Sequence, residues 1–286
     1  MLQQTTVVTV IPYFNRFTQN WPTIQNLAAA SLDEVLIEWQ GLGYYSRARN
    51  LHKCSQHLAE SFPQEELELV KLPGIGPYTA AAIASIAFNK KAAAVDGNVI
   101  RVLCRYYAID CLKPYEPVRT KLLKLLPETR CGDFTEALME LGALICRPKN
   151  PFCESCPLQK TCTGYKMKKV ESFPTKPVKK KLPIRYTTAF IIQREDGAIW
   201  LRRRPLKGLL GGMMEVPSTP WTEANEGEEK SIVKHTFTHF HLKASLCYMD
   251  KPTDTEGIWV QPQDLNKHAL PTVMKKIIRA GLKERE

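Results

Sequence analysis

Apolar residues between Met1 and Ala143 recur at steps of three and four, as at Val7, Val10, Ile11 and Phe14 and again at Leu122, Leu123 and Leu126. That spacing places an apolar stripe along each helix. Strictly alternating segments are absent here, so this half predicts a bundle of short helices broken by Pro and Gly. Ser31-Leu-Asp-Glu34 has the spacing of a capping box, and a Gly-rich turn stands before Tyr78. The first helical pattern is fully developed by Val7. Ahead of it, Met1-Leu-Gln-Gln4 offers no capping residue, no acidic first turn and no preceding loop, so the chain reads as starting inside a helix.

The stretch Lys166–Pro183 has prolines at 174, 177 and 183 and carries too much like charge to pack, which makes it a connector. Beyond it the period changes. Thr187–Gln193 and Ile199–Arg203 are short β-rich runs on either side of Glu195-Asp-Gly197, and together they predict a hairpin. Ser231–Phe237, His241–Met249 and Gly257–Val260 predict further strands, and Pro271–Leu282 a helix. The fold class is therefore mainly α, with an all-α first part and a smaller α+β second part. No internal repeat is visible.

At 286 residues and 44% apolar content the chain can bury two modest cores, which excludes disorder throughout. The net charge of +11 is local, because Thr163–Tyr186 holds eight basic residues against Glu171 alone. Such a stretch fits either a polyanionic partner or a solvated linker. No apolar run is long enough to span a membrane, and no basic segment followed by an apolar core opens the chain, so no membrane partner is expected. The protein is expected in a reducing compartment, the bacterial cytosol and its nucleoid. Nine cysteines are an odd number. Four of them crowd between Cys146 and Cys162, whereas Cys54, Cys104, Cys111, Cys131 and Cys247 are scattered, as small hydrophobic residues would be.

Cys146, Cys153, Cys156 and Cys162 follow a C-x6-C-x2-C-x5-C spacing that can surround one metal centre without help from the rest of the fold. Zinc or an iron–sulfur cluster would fit. Zinc ribbons pair two short CxxC knuckles, and with only Cys153 and Cys156 so spaced the pattern leans toward a cubane. Leu72-Pro-Gly-Ile-Gly-Pro-Tyr-Thr-Ala80 places two glycines before an apolar helix, a turn whose free N–H groups can bind a phosphate or simply join two helices. In Val95-Asp-Gly-Asn-Val-Ile-Arg101 a carboxylate precedes a helix, followed by an amide and a basic side chain; taken alone, Asp96-Gly97-Asn98 is an ordinary turn and N-cap.

In this order the three signals resemble the helix-hairpin-helix DNA glycosylase superfamily with its [4Fe-4S] loop. Met1-Leu-Gln-Gln-Thr5, Gly41-Leu-Gly-Tyr-Tyr-Ser-Arg-Ala-Arg-Asn50 and His235-Thr-Phe-Thr-His-Phe-His241 further resemble the A/G-specific adenine DNA glycosylases, the MutY family. The resemblance covers nearly the whole chain. It implies a glycosylase domain over residues 1–165 with its iron–sulfur loop at 146–162, a basic linker over 166–184 and a Nudix-like recognition domain over 185–286. It also implies a monomer that removes adenine mispaired with 8-oxoguanine or guanine in double-stranded DNA, the first step of base-excision repair.

By the same resemblance Asp96 is the carboxylate that stabilises an oxocarbenium-like sugar as adenine leaves from a flipped nucleotide, with Asn98 and Tyr78 supporting it. Gln4 and an intercalating Tyr44 surround the opposing base. Gly74 and Gly76 hold the DNA backbone, Arg101 contacts a phosphate, and Phe237-Thr238-His239 reads 8-oxoguanine, Thr keeping the hydroxyl of the commoner Ser. The four cysteines hold a structural [4Fe-4S] cluster. Endonuclease III-like relatives that also cut the strand have a nucleophilic Lys where Tyr78 stands, so a monofunctional enzyme is implied. A working Nudix hydrolase needs a carboxylate-rich helix to hold magnesium, and after Gly211-Gly212 this chain offers only Glu215 before Val216-Pro217, so diphosphate hydrolysis is not expected. The family's general acid is a Glu two residues ahead of the Met that matches Met1, outside this sequence. A start placed too late would leave an active enzyme beyond view and is the favoured expectation; a start at Met1 would make a lesion-binding protein without chemistry.

Overall fold

The computed structural model describes residues 1–58, 62–175, 181–224, 232–252 and 256–283. The chain divides into two compact units, Met1–Ala59 together with Lys180–Glu286, and Glu60–Lys179.

Four helices open the first unit: α1 (Val7–Asn20), α2 (Ile24–Ala29), α3 (Leu32–Glu38) and α4 (Ser46–His57). The capping box before α3 forms as expected, with the Glu34 N–H on Ser31 Oγ at 3.2 Å and the Ser31 N–H on Glu34 Oε2 at 2.8 Å. The first helix, however, begins at Val7 rather than at Met1. Thr6 is extended at φ −71°, ψ 152°, and Gln4 is left-handed at φ +59°. The physical reason lies far along the chain: the Arg47 guanidinium takes the carbonyls of Met1 and Gln3, which a helix would need for itself.

Among its described residues the second unit has helices and no strands: α5 (Glu66–Leu69), α6 (Pro77–Ala82), α7 (Gly97–Tyr107), α8 (Tyr115–Leu125), α9 (Cys131–Glu140) and α10 (Thr163–Lys166). Val99, Val102, Leu103, Val118 and Leu122 form one core, and Leu69 with Ala80, Ala81 and Ala84 a second. Helices α6 and α9 each run on into a wider turn, at Ile83–Ala87 and Leu141–Ile145. The beginning of the connector packs, contrary to expectation. Phe173 is buried in the first of these cores while Lys166, Lys168 and Lys169 stay exposed, so an apolar ring is buried without desolvating the like charges.

The rest of the first unit contains β1 (Ile184–Ile192), β2 (Ile199–Arg203), β3 (Met214–Glu215), β4 (Ile232–Thr236), β5 (His241–Met249), β6 (Gly257–Val260) and α11 (Thr272–Lys283). Ser231, the expected first residue of β4, lies outside the described residues. Among the described residues two three-stranded sheets form, in the orders β1-β5-β4 and β3-β2-β6. The expected hairpin does not. The chain does turn at Asp196-Gly197, but β1 pairs in parallel with β5 while β2 joins β3 and β6, leaving only a bridge between Gln193 and Ile199. Helix α11 buries Val273, Met274, Ile277 and Ile278. Val35, Leu36, Trp39 and Leu42 share a single core with Leu201, Met213, Leu242 and Ile277. An Asp33–Arg203 ion pair and bonds from Arg49 Nη1 to the Gly211 carbonyl (2.6 Å) and from Gln40 Nε2 to the His268 carbonyl (2.9 Å) reinforce that packing. The compact units therefore cut across the expected limits 1–165 and 185–286, because the first four helices bury their apolar stripes in the core of the strand-bearing part.

Candidate active site and recognition loop

In the second unit the Gly-rich turn leads into α6 with Gly74 at φ +78° and Gly76 as the N-cap residue, Pro77 following at the first helical position. Two residues into α6 stands Tyr78, 37% exposed. Burial raises its phenol above the ordinary value and the Asp96 charge adds to the rise, which puts ring and carboxylate within electrostatic reach.

Asp96 caps α7, its Oδ1 accepting from the Val99 N–H at 2.7 Å, so the plain N-cap reading holds. The other oxygen is part of something larger. Oδ2 accepts from Asn98 Nδ2 at 2.9 Å, and Asn98 Oδ1 accepts from Arg101 Nη2 at 2.7 Å. Arg101 also donates to the carbonyls of Gly142 (2.6 Å), Cys146 (2.7 Å) and Gly97 (3.3 Å). These bonds turn its guanidinium toward the protein, and burial lowers its pKa from the usual value. A half-buried carboxylate at a helix N-terminus, oriented by an amide that is itself held by a guanidinium, can face positive charge developing on a bound sugar.

Cys146, Cys153, Cys156 and Cys162 all line one cavity, with Val102, Leu141, Ile145 and Leu158 among its walls and no carboxylate or imidazole. Burial pushes the Cys153 and Cys156 thiols up, and the neighbouring cysteines push them further. Crowded thiols of this kind fit a cationic iron–sulfur centre. Among the described residues no three His, Cys, Asp or Glu side chains converge as a single metal ion requires. Cys54, Cys104 and Cys131 are buried in the cores, as small hydrophobic residues.

In the first unit the turn before α4 has Gly41 at φ +97°, Gly43 at φ +71° and Tyr44 at φ +47°. A Cβ on Gly43 would meet nothing, so this glycine is there for its backbone freedom alone. The turn separates two adjacent aromatics: Tyr45 is 6% exposed while Tyr44 is 41% exposed. The Tyr44 hydroxyl lies 2.8 Å from Thr238 Oγ1, across 194 residues of sequence. Phe237 anchors that loop by stacking on Phe240 at 4.7 Å and packing on Trp221 at 5.6 Å, which leaves Thr238 and His239 exposed. Gln4 is exposed in its left-handed conformation. Glu215 is buried between Arg202 Nε (2.9 Å) and the Arg204 guanidinium, so its carboxylate is committed to an internal charge cluster rather than presented to a metal.

Three contributors escaped the sequence reading. Gly142 must lack a side chain, since its Cβ would stand 2.6 Å from Asn98 Cβ. Arg105, 1% exposed, donates to the carbonyls of Arg147 (2.7 Å) and Pro148 (3.1 Å) and holds Nη1 at 3.4 Å from Cys146 Sγ. Arg47 is the third. Arg47 lay inside the Gly41–Asn50 segment without a role of its own, and Arg105 gave no signal beyond being a cation in a helix that buries Val102, Leu103 and Cys104.

Residues 1–128 match the model of the HhH-GPD superfamily of base excision DNA repair proteins, and residues 188–280 match that of the NUDIX domain. The adenine DNA glycosylase of Buchnera aphidicola subsp. Schizaphis graminum is 34% identical over 97% of this chain and 88% of its own length. Among solved structures, a thermostable thymine-DNA glycosylase is 29% identical with a TM-score of 0.54, covering 58% of this chain and 80% of its own. A non-covalent endonuclease III–DNA complex has the same identity and coverage with a TM-score of 0.52.

Proposed function

The chain belongs to the adenine DNA glycosylase family of base-excision repair enzymes, which hydrolyse the N-glycosidic bond of adenine in DNA, and we propose that the adenine it removes is the one paired with 8-oxoguanine or guanine. The observation that carries the proposal is the 2.8 Å pairing of the Tyr44 and Thr238 hydroxyls. It unites an exposed aromatic able to enter a base stack with a loop hydroxyl able to hydrogen-bond a modified purine. Gln4 adds an amide on the same side of the mispair.

For the excised base, Asp96 is the anion beneath the sugar, Asn98 orients it, and Arg101 fixes Asn98. Tyr78 flanks the carboxylate and, unlike a lysine, cannot form a Schiff base, so the reaction is monofunctional. Gly74 and Gly76 lack side chains that would keep a DNA phosphate away from the turn and the N-terminus of α6. Cys146, Cys153, Cys156 and Cys162 hold a [4Fe-4S] cluster that shapes a DNA-binding loop, since hydrolytic base removal needs no electrons. The protein works as a monomer on DNA in a reducing compartment, and the basic residues of the linker add electrostatic affinity for the duplex.

The test is adenine release from duplexes carrying adenine opposite 8-oxoguanine, guanine or cytosine. Release is expected in that order of rate, and Thr238→Val should narrow the gap between the first two by about tenfold, one good hydrogen bond. Equal rates opposite all three bases would refute the lesion reading.

A further inference from the structure

Resting on that lesion reading, we propose that Arg47 is the positioning residue that sets Gln4 and Tyr44 together as one paired wedge on the lesion side of the mispair. The two residues come from segments forty positions apart. Arg47 Nη1 donates to the carbonyls of Met1 (2.7 Å) and Gln3, and Nη2 donates to Thr5 Oγ1 (3.0 Å) and to the carbonyls of Leu42 (3.2 Å) and Gly43 (3.2 Å). A single guanidinium thus holds the peptide preceding Gln4 and the peptide preceding Tyr44.

Both of those residues occupy a backbone region that side chains disfavour, at φ +59° and φ +47°. Such conformations persist only where the surroundings over-determine them, and they gather at functional sites. Arg47 supplies the determination. Its guanidinium carbon lies 5.3 Å from the Tyr44 ring centroid and 5.4 Å from that of Trp39. Trp39 is 1% exposed and donates its Nε1 hydrogen to the Gly43 carbonyl at 3.1 Å, so the fork is seated on a rigid core group. A lysine could reach one of these peptides but has no planar fork with which to hold both.

The test is a mutant cycle on duplexes with adenine opposite 8-oxoguanine, read as excision rate, as binding, and as fluorescence of 2-aminopurine placed beside the lesion. Arg47→Ala should lose at least tenfold in binding, and Arg47→Lys should fail to restore it. Combining Gln4→Ala with Tyr44→Ala should cost the same factor, and the triple variant no more, because Arg47 acts through those two residues. The 2-aminopurine signal should report the same restacked lesion side in all of them. Multiplied losses in the triple variant, or rescue by Arg47→Lys, would overturn the proposal, as would an Arg47→Ala protein whose binding equals that of the wild type. Should Arg47→Ala fail to fold, Arg47→Lys carries the comparison. A wild-type protein with no preference for 8-oxoguanine would instead overturn the lesion reading and this inference with it.

Discussion

A methyl group at position 142 tests the catalytic geometry from a distance of 46 residues. An ideal Cβ on Gly142 stands 2.6 Å from Asn98 Cβ, 3.0 Å from its Cα and 3.1 Å from its carbonyl carbon. Unstrained carbon contacts lie at about 3.5–4.0 Å, and none of these atoms can swing aside, so Asn98 must move by roughly 1 Å. The strain costs about 1–3 kcal/mol, and the helical preference of Ala over Gly returns about 1 kcal/mol, so stability changes little or modestly. The rate does not share that compensation. Asn98 Nδ2 sits 2.9 Å from Asp96 Oδ2, and a shift of this size breaks the bond and misplaces the carboxylate, worth about 10²-fold in rate. Single-turnover adenine release by Gly142→Ala should therefore fall about a hundredfold while the melting temperature drops by no more than about 8 °C. Gly97→Ala is the control. It lies between Asp96 and Asn98, yet is exposed and its Cβ would meet nothing within 4 Å, so thermal unfolding should show stability equal to or about 0.4–1 kcal/mol above the wild type. A Gly142→Ala enzyme as fast as the wild type would refute the coupling.

Cys153→Ala should abolish the visible absorbance of the cluster and lower duplex affinity in the same preparation; tight binding without the chromophore would free the loop from the cluster. Glu215→Gln leaves the partly exposed Arg202 and Arg204 beside a neutral group in a site where the carboxylate is 4% exposed, and should cost about 1.5–3 kcal/mol in urea unfolding, against a change under 1 kcal/mol if the cluster is ornamental. Burial, and then the charge of Lys276, hold the His235 pKa below 6.5, and among the described residues its Nδ1 is buried without a hydrogen-bond partner. The unfolded chain therefore takes up the proton first, so stability should be constant above about pH 6.5 and decline as pH falls through that value toward the folded pKa. His235→Gln should flatten this part of the profile in pH-dependent unfolding, and an unaltered slope would exclude His235 as its source.

Local chemistry was readable from the chain, and distant partnerships were not. The capping box at Ser31 and Glu34 closes within four residues, and the limits of β5 and β6 follow from alternation inside each run, so each was legible in place. The partner of β1 was not. A turn at Asp196-Gly197 is compatible with a hairpin, and only the parallel register from Ile184–His241 to Ile192–Met249 draws the two strands into separate sheets. The same limit applies to the start of α1, decided by Arg47, and to the packing of α3 and α4 with the strands, since an apolar stripe says that a face is covered and not by what. In the candidate site the four cysteines stood out by residue type and spacing, whereas Asp96 was singled out only by the order of motifs that the family resemblance supplied. The bonds from Arg101 to Asn98 Oδ1 and to the Cys146 carbonyl were not legible, because a cation near a carboxylate motif looks the same whether it faces out or in.

The most direct test is free-adenine release from a duplex containing adenine opposite 8-oxoguanine, by the protein isolated from its source cells and by its Asp96→Asn variant, with duplex binding measured on both. The account predicts release by the native protein, a fall of about 10³-fold or more in the variant, and equal binding by the two. Release undiminished in Asp96→Asn would contradict it at its centre.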